Sequence, residues 1–125
     1  MIFCVRITVK ITKSFSSAVK PLLKKYHSLS NYLLRLEKEL EVNPKVGTSL
    51  GHDIYKIRLK ITSKGKGKSG GACVIFFVET TLISIREKTS AEEITVNLLT
   101  IYDKADVDNI SDKELKDLIK NLKPL

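Results

Sequence analysis

The chain has 125 residues, a length that suits one domain built around one hydrophobic core. With 42% hydrophobic and 29% charged residues, its composition is that of a globular protein and excludes general disorder. The formal net charge of +8 favours an anionic partner, whether nucleic acid, a membrane surface or an acidic protein.

Residues 3 to 11 alternate, with Phe3, Val5, Ile7, Val9 and Ile11 on one side and Cys4, Arg6, Thr8 and Lys10 on the other. Period two predicts a half-buried strand. The period then lengthens. Phe15, Val19, Leu22 and Tyr26 fall on one helical stripe, and Leu29, Leu33, Leu36 and Leu40 repeat the spacing. Two amphipathic helices joined near His27-Ser28 make a helical hairpin. Pro21 lacks a backbone donor and predicts a kink in the first helix. Asn43-Pro44 ends the second, because the residue before proline avoids the helical region.

A second strand is predicted over Tyr55 to Ile61, with apolar Tyr55, Ile57, Leu59 and Ile61 alternating with Lys56, Arg58 and Lys60. The turn SKGKGKSGG leads into the continuous apolar run Ala72 to Val78, the pattern of a strand buried on both faces. A polar loop around Glu87 to Glu92 precedes a further strand over residues 94 to 102. In the last element Ser111 is the cap and Glu114 follows three residues on. Ile110 is placed to pack on Leu115, and Leu118, Ile119 and Leu122 continue the stripe. The expected architecture is one α+β domain over residues 1–125, with a mainly antiparallel sheet in the order β-α-α-β-β-β-α.

Cysteine usage and hydropathy narrow the setting. Cys4 and Cys73 are too few for the disulfide framework of a small secreted domain. Together with His27 and His52 they lack metal-finger spacing, so neither zinc nor another cofactor is expected. The opening MIFCVRITV is too short and too alternating for a signal peptide, and no run approaches the roughly 20 apolar residues of a membrane span. These features predict a reduced, cytoplasmic protein.

The charge is concentrated. Between Ile54 and Val78 stand Lys56, Arg58, Lys60, Lys64, Lys66 and Lys68, with no acidic residue among them. Three share one strand face and three occupy the adjoining turn. A charge run ordinarily serves solubility. Like charges on alternate residues of a strand repel, however, and the glycines beside them allow a ligand's backbone to approach. A cationic strip beside a cationic loop suits a phosphate backbone. Gly67-Lys68-Ser69 resembles the end of a phosphate-binding P-loop, but Thr62 replaces its first glycine and a β-rich run follows where a helix is required. Nucleotide hydrolysis is therefore not expected, and neither a nucleophilic triad nor a carboxylate pair is evident.

The stretch LGHDIYKIRLKITSKGKGKSGGACVI, residues 50 to 75, resembles the core of RelE/ParE-family toxins. LLTIYDKADVDNISDKELKDLIK, residues 98 to 120, resembles the same family's last strand and helix. The resemblance implies a RelE-like fold and the toxin component of a type II toxin–antitoxin system. Such a protein is a ribosome-dependent mRNA endonuclease, held in check by a cognate antitoxin. Cleavage in these proteins uses the substrate's 2′-hydroxyl as nucleophile and needs no metal. Chemistry of this kind calls for a base, cations on the phosphate and an acid for the leaving oxygen.

By position, the resemblance makes Lys56 the base, a role open to lysine only where nearby cations favour its neutral form. Arg58 would hold phosphate with its fixed, forked charge. Lys104 would be the acid or a phosphate clamp. Lys60, Lys64, Lys66 and Lys68 would grip the RNA backbone, and Tyr102 would stack on a base or pack in the core. Cys73 is the departure: the family generally reads SGGAR where this chain reads SGGAC. A cysteine supplies no fixed charge, so an attenuated nuclease is expected. Two alternatives are an inactive homologue that binds RNA or antitoxin, and a ParE-like inhibitor of gyrase.

Overall fold

The computed structural model describes residues 2–61, 70–85, 89–103 and 110–122. Lys64, Lys66, Lys68 and Lys104 lie outside the described residues. The elements are β1 (Ile2–Ile11), α1 (Lys13–Lys25), α2 (Leu29–Val42), β2 (Thr48–Gly51), β3 (Ile54–Ile61), β4 (Gly70–Ile85), β5 (Thr89–Asp103) and α3 (Asp112–Lys120). The fold is α+β, and its five strands form one sheet in the order β1-β5-β4-β3-β2. All neighbours pair antiparallel except β1 and β5, which run parallel. No helix among the described residues is long and apolar enough to cross a membrane.

Two of the predicted boundaries need correction. The sequence reading has no strand between Pro44 and Tyr55, yet residues 48–51 form β2 and pair with β3. The turn between them places His52 at φ 52° and Asp53 at φ 63°. Two successive left-handed residues are the mark of a tight hairpin turn, and neither His nor Asp advertises that turn as Asn-Gly does. The polar loop expected around Glu87 to Glu92 is also shorter than predicted. Residues 89–92 belong to β5, where they pair with Leu82 to Ile85 of β4 and with Ile2 to Val5 of β1.

The core forms on both sides of β4. On one face, Phe15, Val19 and Leu22 of α1 and Leu29, Leu36 and Leu40 of α2 pack onto Leu59, Val74, Phe76, Val78, Val96 and Ile101. On the other face, Leu115 of α3 covers Ile54, Ile75 and Leu99. Residues 72 to 76 are buried without interruption, as the unbroken apolar run predicts. The helical stripes also lie where expected. Pro21 lies inside α1, which continues to Lys25. In α3 the Ser111 hydroxyl accepts from the Glu114 amide at 3.2 Å, and Ile110 joins the cluster around Leu115. Strand β1 departs from its predicted half-burial at Val5 and Ile11, which are 49% and 43% exposed because β1 is an edge strand.

An irregularity in β5 decides what faces what. Ile75 pairs with Thr100 and Phe76 with Leu98, so Leu99 has no partner on β4. This is a bulge, one extra residue on one strand. Before it, Ile94, Val96 and Leu98 point towards the helical hairpin. After it, Ile101 does so, while Leu99 and Tyr102 join the α3 side. Since side chains alternate, an unbulged strand would turn Tyr102 onto the hairpin face. The carbonyls at the bulge are satisfied from the start of α1. Thr12 Oγ1 donates to the Leu98 carbonyl at 2.7 Å and Ser14 Oγ to the Leu99 carbonyl at 2.6 Å. Thr12 Oγ1 also accepts from the Phe15 amide and so caps the helix.

Candidate nucleic-acid interface

Lys56, Arg58 and Lys60 lie on one face of β3, as their alternation predicts, while Leu59 between them is buried on the other. The basic face is the one that α3 partly covers, because Ile54 of the same parity belongs to the α3 cluster. Lys56 stands at the margin of that cover and is half-buried; Arg58 and Lys60 extend past it into solvent. The strip thus runs from a cleft at α3 onto open sheet.

The strand ladder supplies the neighbours. Arg58 pairs with Cys73, and Cys73 pairs with Tyr102, so these three side chains form one row across β3, β4 and β5. Lys60 pairs with Gly71, and Lys56 with Ile75. Gly71 matters to its diagonal neighbour. A Cβ there would fall 3.0 Å from Arg58 Nε and 3.4 Å from one of its terminal nitrogens. The guanidinium therefore folds across the bare glycine backbone, where any larger residue would crowd it. The sequence SGG signals loop flexibility, but this glycine's role in making room for Arg58 appears only once the register is known.

Cys73 is a free thiol, 2% exposed. It lies within the row, between Arg58 and Tyr102. Tyr102 packs against the α3 cluster. Among the described residues its hydroxyl is the buried side-chain polar atom with no hydrogen-bond partner. Burial, followed by the adjacent Cys73 thiol, pushes the phenol up to about 12.

A cleft of about 90 Å³ opens beside Lys56 and Tyr102, walled by Leu50, Ile110, Asp112 and Leu115. Leu50 comes from β2 and Asp112 from the first turn of α3. Sequence reasoning missed both. Leu50 belongs to the unpredicted strand, and Asp112 sits between the two capping residues, where an acidic side chain is explained by the helix dipole alone. The structure thus brings together Lys56, Arg58, Lys60, Cys73 and Tyr102 from three strands.

On the opposite face, Asp103 is 2% exposed and accepts from Lys25 Nζ and from the Tyr26 hydroxyl, each at 2.8 Å. The bond to Asp103 raises both the Lys25 and the Tyr26 pKa. This network ties the end of α1 to the end of β5 and faces away from the basic strip. Among the described residues no group of three or more His, Cys, Asp or Glu side chains is placed to hold a metal ion. No protein-family model matches the chain, and no curated protein matches it in sequence.

Proposed function

We propose that the chain is a RelE/ParE-type toxin that binds messenger RNA on the β3 face and cleaves it only weakly. The observation that carries this reading is the row of three strand cations on an open sheet face, with Arg58 seated over Gly71 and a buried, uncharged Cys73 as its ladder partner. The element order supports the RelE-like assignment: a strand, a helical hairpin, an antiparallel set of strands and a closing helix.

Cleavage by such a protein has the 2′-oxygen attack phosphorus as its proton passes to a base. The 5′-oxygen then departs with a proton from an acid, leaving a 2′,3′-cyclic phosphate. Lys56 in its cleft would take the base role, and Arg58 would neutralise the phosphate. Lys104 would supply the acid or a clamp. Lys60, Lys64, Lys66 and Lys68 would follow the backbone on either side. The missing part is a second cation beside Arg58 at position 73. Loss of one preorganised donor costs on the order of 10²–10³ in rate. The protein would work in the cytoplasm, on translating ribosomes, and be neutralised by a cognate antitoxin.

Burial of Cys73 favours one second reading, a homologue that binds RNA without cutting it. One experiment separates the two. Message cleavage on translating ribosomes would be compared for the natural chain, Cys73→Arg, and Cys73→Arg combined with Lys56→Gln and Arg58→Gln. We expect Cys73→Arg to raise cleavage by on the order of 10²-fold and the combined variant to abolish it. Equal inactivity of all three, with Cys73→Arg folded, would eliminate the nuclease. Equal RNA affinity of all three would eliminate the binding face as well.

A further inference from the structure

We infer that the exposed face of α1 is a second RNA surface, one that takes the backbone of a base-paired stem and not the strand held on β3. The inference rests on the RNA-binding reading above and extends it to a different side of the molecule.

Helix α1 carries Lys13, Lys20, Lys24 and Lys25 and no acidic residue. Lys25 is engaged by Asp103. The other three are exposed, and among the described residues none is within ion-pair distance of a carboxylate. At 3.6 residues per turn, positions 13, 20 and 24 fall within an arc of about 40° and span about 16 Å of helix axis. Ser17, also exposed, lies on the same line and leaves it low between the cations. The result is a row of three ammonium groups along one side of the helix.

Of the three, only Lys24, in the last turn, is favoured by the helix dipole. Lys13 is the first helical residue, where the dipole disfavours a cation, and there is no acidic residue in the first turn to offset it. Lys20 and Lys24 are one turn apart and repel each other. Polar neutral residues would solvate the face at no such cost. A polyanion that neutralises all three accounts for the arrangement.

The chemistry of the face identifies the kind of polyanion. Surfaces for unpaired strands combine cations with aromatic side chains that stack on bases. The outward face of α1 has no aromatic: Phe15 is buried against the sheet and Tyr26 is held by Asp103. What remains is phosphate recognition at fixed spacing, which suits the regular backbone of an RNA double helix. The location also requires a separate ligand segment. Helix α1 packs on the hairpin side of the sheet, whereas Lys56, Arg58 and Lys60 lie on the α3 side. A strand lying along β3 does not reach it without wrapping round an edge.

The test measures affinity against salt for a base-paired RNA stem and for an unpaired oligonucleotide. It uses the natural chain, a Lys13→Gln/Lys20→Gln/Lys24→Gln variant, and a Lys56→Gln/Arg58→Gln/Lys60→Gln variant. Glutamine preserves helix propensity, so the α1 variant keeps its fold. We expect the α1 variant to lower the salt slope for the stem by about 2–3 and leave the unpaired oligonucleotide unaffected. The β3 variant should show the converse. Stem binding that is absent from the natural chain, or unchanged in the α1 variant, overturns the inference while the β3 reading stands on its own oligonucleotide result. Failure of the unpaired oligonucleotide to bind the natural chain overturns the β3 reading, and the stem arm still decides α1.

Discussion

Tyr102 is the residue whose chemistry is least at ease with its surroundings. A buried hydroxyl without a partner costs about 1–3 kcal/mol relative to one that is satisfied. Tyr102→Phe should therefore raise stability by about 1 kcal/mol at neutral pH, read as a higher denaturation midpoint with an unchanged slope. The pH dependence follows from the same burial. The folded phenol holds its proton up to about 12, above the ordinary value near 10. The folded state thus binds the proton more tightly, and its stability is undiminished below about pH 10 and falls between about pH 10 and 12. The advantage of Tyr102→Phe should widen across that window; a constant difference would show that the phenol titrates as freely as in the unfolded chain. Gly71 makes the complementary case on the charged side of the row. In Gly71→Ala the new methyl falls 3.0 Å from Arg58 Nε, and the flexible guanidinium gives way. Stability should change by less than about 1 kcal/mol, whereas RNA affinity should drop if Arg58 holds phosphate from that position.

At the scale of elements, the bulge in β5 and the start of α1 form one unit. Thr12 caps the helix, donates to the Leu98 carbonyl and is 2% exposed. Thr12→Val keeps the shape but removes the hydroxyl, leaving the Phe15 amide without its acceptor and the Leu98 carbonyl with the weaker bond from the Thr12 amide at 3.3 Å. We expect a loss of about 2 kcal/mol by chemical denaturation, with Thr12→Ser recovering most of it. This unit also shows where sequence reading succeeds and where it stops. Both helices of the hairpin, the cap at Ser111 and the basic face of β3 were legible because each depends on the spacing of a few residues within one element. The bulge was not legible. Val96, Leu98, Leu99 and Ile101 are apolar on both faces, so buried alternation leaves no trace of the extra residue at Leu99. Tyr102 was identified by position, but its place beside Cys73 depends on that bulge. Strand β2 was missed for a different reason: it is four residues long, mostly exposed, and ends in a turn whose left-handed residues are His52 and Asp53.

On the scale of the whole molecule, the sheet is unevenly supported along its length. Residues 72–77 of β4 pair with β3 on one side and with β5 on the other. The Val78 amide makes the last link across that edge, to the Asp53 carbonyl at 2.9 Å. Beyond it, β4 pairs with β5 alone, and residues 79 to 82 are exposed, Leu82 by 71%. In an antiparallel strand successive amides point to alternate sides, so an edge strand leaves every second amide to solvent. Hydrogen exchange should reveal the division directly. Amides of both parities should be strongly protected over residues 72–78, and protection should alternate from residue 79 onwards. The matching part of β5, residues 89–96, lies between β4 and β1 and should remain protected at both parities despite its polar composition. Uniform protection along β4 would show that a further strand covers this edge in solution, from a second copy or another partner. Uniformly fast exchange over both strands would instead show that the distal hairpin opens independently of the basic face, where Lys56 and Arg58 stand opposite the doubly paired part of β4.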